Sequence, residues 1–169
     1  MINFLKFPSN KEVCKEIELT SYQNKLLKNY LEDCLLVSTN MNRSTDTILN
    51  KVKVDNNSIS LIHEIKKKAK IFRDSLENNK DVDFNLLKSL IRDSWKNKKN
   101  IKGVFNNKLL ILEQRLEQVG IHWIKLLGAG GGGSFLCKPK NKKELMDILI
   151  QENIKFNEFN IDNDGLKEC

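Results

Sequence analysis

The nine residues Leu126-Leu127-Gly128-Ala129-Gly130-Gly131-Gly132-Gly133-Ser134 hold five of the chain's eight glycines. An apolar run from Ile121 to Leu127 leads into them, and a shorter one from Phe135 to Cys137 leads out. Apolar runs on both sides of a glycine cluster predict two strands whose connection passes close to another group. Lacking a Cβ, such a loop reaches positive φ and turns several backbone N–H groups into one concavity, which suits phosphate above all. Ordering glycine costs roughly 0.5–1 kcal/mol more per residue than ordering alanine, so an ordered run of them calls for a reason. Two reasons stay open: an anion-binding loop, or a tight glycine hairpin with no ligand.

The pattern differs from two common phosphate loops. No Gly-Lys-Ser/Thr follows, as a P-loop requires, and no helix starts directly after it, as a dinucleotide fingerprint requires. Strand, Gly-Ala-Gly-Gly-Gly-Gly, strand instead resembles the third shared motif of the galactokinase, homoserine kinase, mevalonate kinase and phosphomevalonate kinase group (GHMP kinases). The matching residues here are Lys125 to Gly133. Within that group the chain looks most like the heptose-phosphate kinases of bacterial surface-polysaccharide synthesis. Cys34-Leu35-Leu36-Val37-Ser38-Thr39-Asn40-Met41-Asn42-Arg43-Ser44 is similar to that branch's strand-then-arginine segment. Ser94-Trp95-Lys96-Asn97-Lys98-Lys99 matches its Ser-Trp-x-x-Lys-Lys segment, and Ile2 to Phe7 looks like the strand after the family's catalytic aspartate. Trp123 and Ile124 depart from the branch's usual glycines, and Ser38 and Asn40 from its usual tyrosine and glycine.

The resemblance covers roughly Ile2 to Ile161 but corresponds only to the C-terminal half of such an enzyme. It implies no catalytic residue in this chain, because the family's ATP loop and catalytic aspartate would lie upstream of Met1. It assigns Gly128, Ala129, Gly130, Gly131, Gly132 and Gly133 to a phosphate and substrate loop. ATP and Mg²⁺ are the implied cofactors, with most of their ligands in the missing half. The implied partners are a small sugar or sugar phosphate and a separate chain supplying the N-terminal half. Residues 1–161 would form one domain, with 1–30 joining it to that half.

Two cationic candidates accompany the loop. Arg43 follows a strand end, where its planar fork could hold a phosphate bidentately. Lys99 belongs to the basic run Lys96, Lys98, Lys99 and Lys102 beside Trp95, which is either a solvated face or an anion-facing segment. Trp95 falls on an apolar stripe and is assigned to the core. Asp46 and Asp93 lie near these segments, but no paired-carboxylate spacing marks either as a base.

Composition narrows the function classes. A chain of 169 residues that is 40% hydrophobic and 30% charged matches a soluble globular domain. No stretch approaches the ~20 apolar residues of a membrane span, and the N-terminus turns too polar after Phe7 for a signal peptide. The expectation is a cytoplasmic protein that engages no membrane. Cys14, Cys34, Cys137 and Cys169 are widely spaced and are expected as free thiols. His63 and His122 have no partner at metal spacing, so no metal site is expected. The net charge of +7 fits phosphate-bearing ligands, nucleic acid or simply a lysine-rich composition, but no nucleic-acid motif or interleaved exposed aromatics are present.

The order of elements predicts an α+β fold, a ferredoxin-like antiparallel sheet packed against helices. Strands are expected over Ile2–Phe7, Glu12–Leu19, Leu35–Ser38, Ile121–Leu127, Phe135–Cys137 and Phe156–Ile161. A short helix capped by Thr20 or Ser21 runs to Tyr30, and Ser44 caps another through Lys51. A polar break at Asp55 to Ser58 precedes a helix with Ile62, Ile65, Ala69, Phe72 and Leu76 on one stripe. Asp83 caps a helix with Phe84, Leu87, Ile91 and Trp95 inward. Another starts near Asn107 and closes at Gly120. Asn141 and Glu144 open the last as a capping box, and residues 162–169 are expected to fray. A stand-alone ferredoxin-like module that binds a phosphorylated metabolite without catalysis is the alternative to an incomplete kinase.

Overall fold

The computed structural model describes residues 19–41, 56–101, 104–128 and 130–160. The strands expected over Ile2–Phe7 and most of Glu12–Leu19, the helix from Ser44, Arg43 and the 162–169 tail lie outside the described residues. Five helices and four strands are described: α1 (Ser21–Glu32), β1 (Leu35–Ser38), α2 (Asn56–Asn78), α3 (Phe84–Lys99), α4 (Asn107–Val119), β2 (Ile121–Leu126), β3 (Ser134–Pro139), α5 (Lys142–Gln151) and β4 (Phe156–Glu158).

The helix starts follow from local chemistry. Thr20 caps α1 in a full capping box with Gln23, and the side chains of Asp83, Asn106 and Asn141 accept from the amides of Leu86, Leu109 and Glu144. Gly120 closes α4 with φ +99°, a conformation in which other residues are strained.

The strands form one antiparallel sheet in the order β2-β3-β1-β4. With helices between β1 and β2 and between β3 and β4, this is the split arrangement of ferredoxin-like folds. Central β1 pairs Leu35 with Cys137 and Val37 with Phe135 on one side, and Val37 with Phe156 on the other. Strand periodicity then sorts the side chains by face. Leu35, Val37, Ile124, Leu126, Phe135 and Cys137 face the main core, where α3, α4 and α5 add Trp95, Leu109, Leu116, Leu145 and Leu149.

The opposite register positions, Trp123 and Lys138, are cross-strand neighbours, and both meet α1. The Trp123 indole N–H donates to the Tyr30 hydroxyl at 2.9 Å. Lys138 Nζ lies 4.6 Å from the Tyr30 ring centroid and donates to the Tyr30 carbonyl (2.6 Å) and to Asp33 (2.8 Å). A second apolar cluster, Leu19, Leu27, Phe72, Leu76 and Val82, ties α1, α2 and the start of α3 together. Buried Gln23 joins the same region, donating to the carbonyls of Leu76 and Asn79 at the end of α2.

Three sequence expectations are modified by the structure. Of the polar stretch expected as a break, Asn56 to Ser58 belong to α2 and Ser58 is buried, while Asp55 and the helix expected before it lie outside the described residues. Asn and Ser are compatible with the first turn of a helix, where backbone donors are free. The apolar stripe of α2 is buried only in its second half, since Phe72 and Leu76 are buried while Ile62 is 49% exposed. The last strand is also shorter than expected, ending at Glu158. Among the described residues no helix is long and apolar enough to cross a membrane.

Cys34 and Cys137 are fully buried, and burial pushes both thiols up to about 12. At pH 8 both therefore stay protonated in the fold and unreactive. Titration with Ellman's reagent should label Cys34 and Cys137 only after unfolding in urea. Rapid release of four equivalents from the native chain would contradict this packing.

Candidate functional site

The glycine loop joins β2 to β3, and the ladder extends into it through the Leu127 amide, which donates to the Ser134 carbonyl at 3.0 Å. The loop is wedged between two remote pieces of chain. On one side the Gly131 amide donates to the Val104 carbonyl at 2.7 Å, and on the other the Gly133 amide donates to the Met41 carbonyl at 3.2 Å. Thr39 completes the second contact, donating from its amide (2.9 Å) and its hydroxyl (2.8 Å) to the Gly133 carbonyl.

These approaches explain two of the glycines. A Cβ on Gly130, whose φ is +114°, would lie 2.7 Å from Val104 Cγ1, and one on Gly132 would lie 2.6 Å from the Met41 carbonyl oxygen. The glycines thus serve close packing against the chain itself as well as loop curvature. The amides then divide. Those of Gly131 and Gly133 are used internally, whereas those of Gly130 and Gly132 have no acceptor among the described residues. An anion would find its donors at these alternate positions rather than along the whole run. Ala129 lies outside the described residues.

The basic run at the end of α3 divides as well. Lys98 Nζ donates to the carbonyls of Leu126 (3.2 Å) and Gly128 (2.5 Å), placing an ammonium at the mouth of the loop. Burial, and secondarily the like charge of Lys125, holds this amine below its ordinary range. The family segment contained Lys98, but only the fold shows that it reaches the loop. Its helical offset of three residues from core-facing Trp95 is the sequence signal that was available.

Lys99 turns elsewhere. Its ammonium pairs with Glu113 Oε1 at 2.8 Å and lies 5.7 Å and 5.5 Å from the ring centroids of Trp95 and Phe105. Glu113 is 2% exposed and also accepts the Trp95 indole N–H at 2.7 Å. Lys99 is therefore committed to a buried pair and is not brought to the loop. Lys96 is exposed, Lys102 lies outside the described residues, and Asp93 pairs with Lys68 at 3.1 Å. Among the described residues no group of three or more His, Cys, Asp or Glu side chains is placed to hold a metal ion.

No protein-family model matches the chain. Over 171 residues it is 28% identical to D-glycero-alpha-D-manno-heptose 7-phosphate kinase from Campylobacter jejuni, a match covering 98% of this chain and 49% of that protein. The chain thus spans about half the length of the curated relative it matches. Its fold is similar to that of L. major mevalonate kinase solved with R-mevalonate (TM-score 0.55, 20% identity, 70% of this chain and 36% of that one). A further mevalonate kinase gives a TM-score of 0.59 at 20% identity, covering 85% of this chain and 43% of that one. At that identity the structural likeness establishes the α+β fold alone. Together with the sequence match, it relates the chain to the galactokinase, homoserine kinase, mevalonate kinase and phosphomevalonate kinase group.

The loop geometry predicts an order of sensitivity to alanine. Gly130→Ala and Gly132→Ala meet backbone or a packed side chain, and overpacking of that kind costs about 1–3 kcal/mol. Gly128→Ala has open space and only its φ of +73° to oppose it, about 1–2 kcal/mol. Urea unfolding of the three variants should place Gly130→Ala, which combines both penalties, as the least stable.

Proposed function

We propose that this chain forms the glycine-loop side of a sugar-phosphate kinase, in which the γ-phosphate of ATP passes to a hydroxyl of a sugar or sugar phosphate. The observation that carries the reading is the loop: the amides of Gly131 and Gly133 pinned by Val104 and Met41, those of Gly130 and Gly132 without an acceptor among the described residues, and the Lys98 ammonium at its mouth. Phosphoryl transfer asks a protein mainly to position the reacting groups and to neutralise charge. A rigid arc of N–H donors beside a fixed cation does both without reorganising when the reaction occurs.

The residues of the loop fit a phosphate group. They offer no ligand set for a divalent metal, so Mg²⁺ would arrive with the nucleotide. Arg43, which follows β1 and Thr39 in the sequence, is the proposed second anion contact. The acceptor is proposed to be a heptose 7-phosphate, the substrate class in the name of the Campylobacter jejuni relative. The nucleotide contacts and the catalytic base would come from a second segment or chain.

Titration calorimetry of the 169-residue chain with Mg·ATP, and separately with heptose 7-phosphate, tests the reading. The expected result is saturable binding of the sugar phosphate and none of Mg·ATP. Addition of the N-terminal half of a heptose-phosphate kinase should then give ATP binding and phosphate transfer. Micromolar one-site binding of Mg·ATP by the chain alone would sink the divided site. Sugar-phosphate binding with no transfer after reconstitution would leave a stand-alone binding module. Lys98→Gln should weaken sugar-phosphate binding about tenfold, the worth of one hydrogen bond from a charged group.

A further inference from the structure

Away from the glycine loop, an open cavity of about 870 Å³ lies between α3, α4 and the first half of β2. Its lining includes no residue of the loop and neither Met41 nor Val104. The size falls in the range of small-molecule pockets, roughly 300–1,000 Å³.

The two walls carry opposite chemistry. On α3, Lys88, Arg92 and Lys96 recur every four residues, which places them on one face of the helix, and all three line the cavity. None has an ion-pair partner among the described residues. Two other lining charges are already matched, Asp93 by Lys68 and Lys99 by Glu113. Three uncompensated cations therefore face one uncompensated carboxylate, Glu117, across the cavity.

Glu113 on the α4 wall carries a half-satisfied carboxylate. One carboxylate oxygen, Oε1, accepts from both Trp95 and Lys99, but the buried Oε2 has no partner among the described residues. A buried acceptor left unpaired costs about 1–3 kcal/mol, and more when it carries charge. At a cavity wall, a hydroxyl or amino donor brought by a ligand removes that cost. A bare inorganic anion would satisfy the cations yet leave Oε2 unpaired and repelled. A cationic ligand would leave Lys88, Arg92 and Lys96 unmatched.

We propose that this cavity is a second ligand site, separate from the glycine loop. It takes a small organic phosphate that also bears hydroxyl or amino groups. The phosphate lies against Lys88, Arg92 and Lys96, and a donor of the same molecule reaches Glu113 Oε2. The proposal does not depend on the kinase reading, since no loop residue enters it.

Both tryptophans of the chain, Trp95 and Trp123, line the cavity, so intrinsic fluorescence reports on it directly. The full chain is titrated with ribose 5-phosphate as probe, and with ribose and inorganic phosphate as comparators. The expected result is a saturable change with ribose 5-phosphate and at least tenfold weaker binding of either fragment. Arg92→Glu, an exposed position whose fold is checked by circular dichroism, should weaken the probe at least tenfold. Gly128→Ala in the loop should leave the titration unchanged. Glu113→Gln, which turns the free acceptor into a donor, should bring ribose 5-phosphate down to the affinity of inorganic phosphate. Absence of saturation by about 10 mM overturns the proposal. So does an Arg92→Glu curve that superimposes on the unmodified chain, or inorganic phosphate binding as tightly as the probe. A change lost in Gly128→Ala but kept in Arg92→Glu assigns the binding to the loop and overturns it equally.

Discussion

The contact of the glycine loop with two backbone segments is the constraint on which the arrangement depends. Met41 follows β1, Val104 lies between α3 and α4, and the loop joins β2 to β3, so three remote regions meet within one van der Waals layer. Side chains at Gly130 or Gly132 would hold these regions apart. The glycine run is therefore a packing device before it is a ligand device. Its internal hydrogen bonds also decide which amides are left without an acceptor among the described residues. A loop whose amides were all free would be softer, and ordering it around an anion would cost conformational entropy at the moment of binding.

The sheet translates that constraint to the rest of the molecule. Pairing of Val37 with Phe135 and of Leu35 with Cys137 fixes which residues of β1 and β3 enter the main core. A slip by one residue would bring Lys138 into that core and expel Cys137. Lys138 is stable in its present place because it is satisfied there by a carbonyl, a carboxylate and an aromatic face of α1 and its C-terminal turn. Trp123 beside it uses its polar edge in the same way, on the Tyr30 hydroxyl. The two bulky residues at positions 123 and 124 are thus absorbed on opposite faces, Ile124 in the main core and Trp123 against α1.

Much of this was legible in the sequence. The caps at Thr20, Asp83 and Asn141, the closure at Gly120, the strands flanking the glycines and the ferredoxin-like order all follow from local patterns. Those patterns report on backbone chemistry within a few residues, where sequence is most informative. What was not legible involves distant partners. The polar composition of Asn56 to Ser58 does not by itself show that these residues are helical or that Ser58 is buried. The α2 stripe has helical periodicity throughout, yet periodicity does not say how far along the helix a partner extends, and only Phe72 and Leu76 find one. Within the site, the spacing of glycines suggested a run of equivalent amides. The alternation between used and unused ones depends on Val104 and Met41, which no local pattern connects to the loop.

The Ser-Trp-x-x-Lys-Lys segment shows how a short spacing can serve two places at once. Successive helical residues diverge by about 100°, so Lys98 and Lys99 cannot serve the same site. Lys98, three residues after Trp95, turns to the carbonyls of Leu126 and Gly128 at the loop. Lys99, four residues after Trp95, stacks along the same helical face and meets Glu113 together with the Trp95 indole. The buried carboxylate would be strongly unfavourable without them, since an uncompensated buried charge costs about 3–5 kcal/mol when one partner is removed. Trp95 is at once a core residue, packed edge-on to Phe105 and Phe135, and the donor that orients Glu113. The end of α3 therefore couples the core to both the loop and the cavity. A shift of that helix by one residue would break the loop cation and the carboxylate pair together.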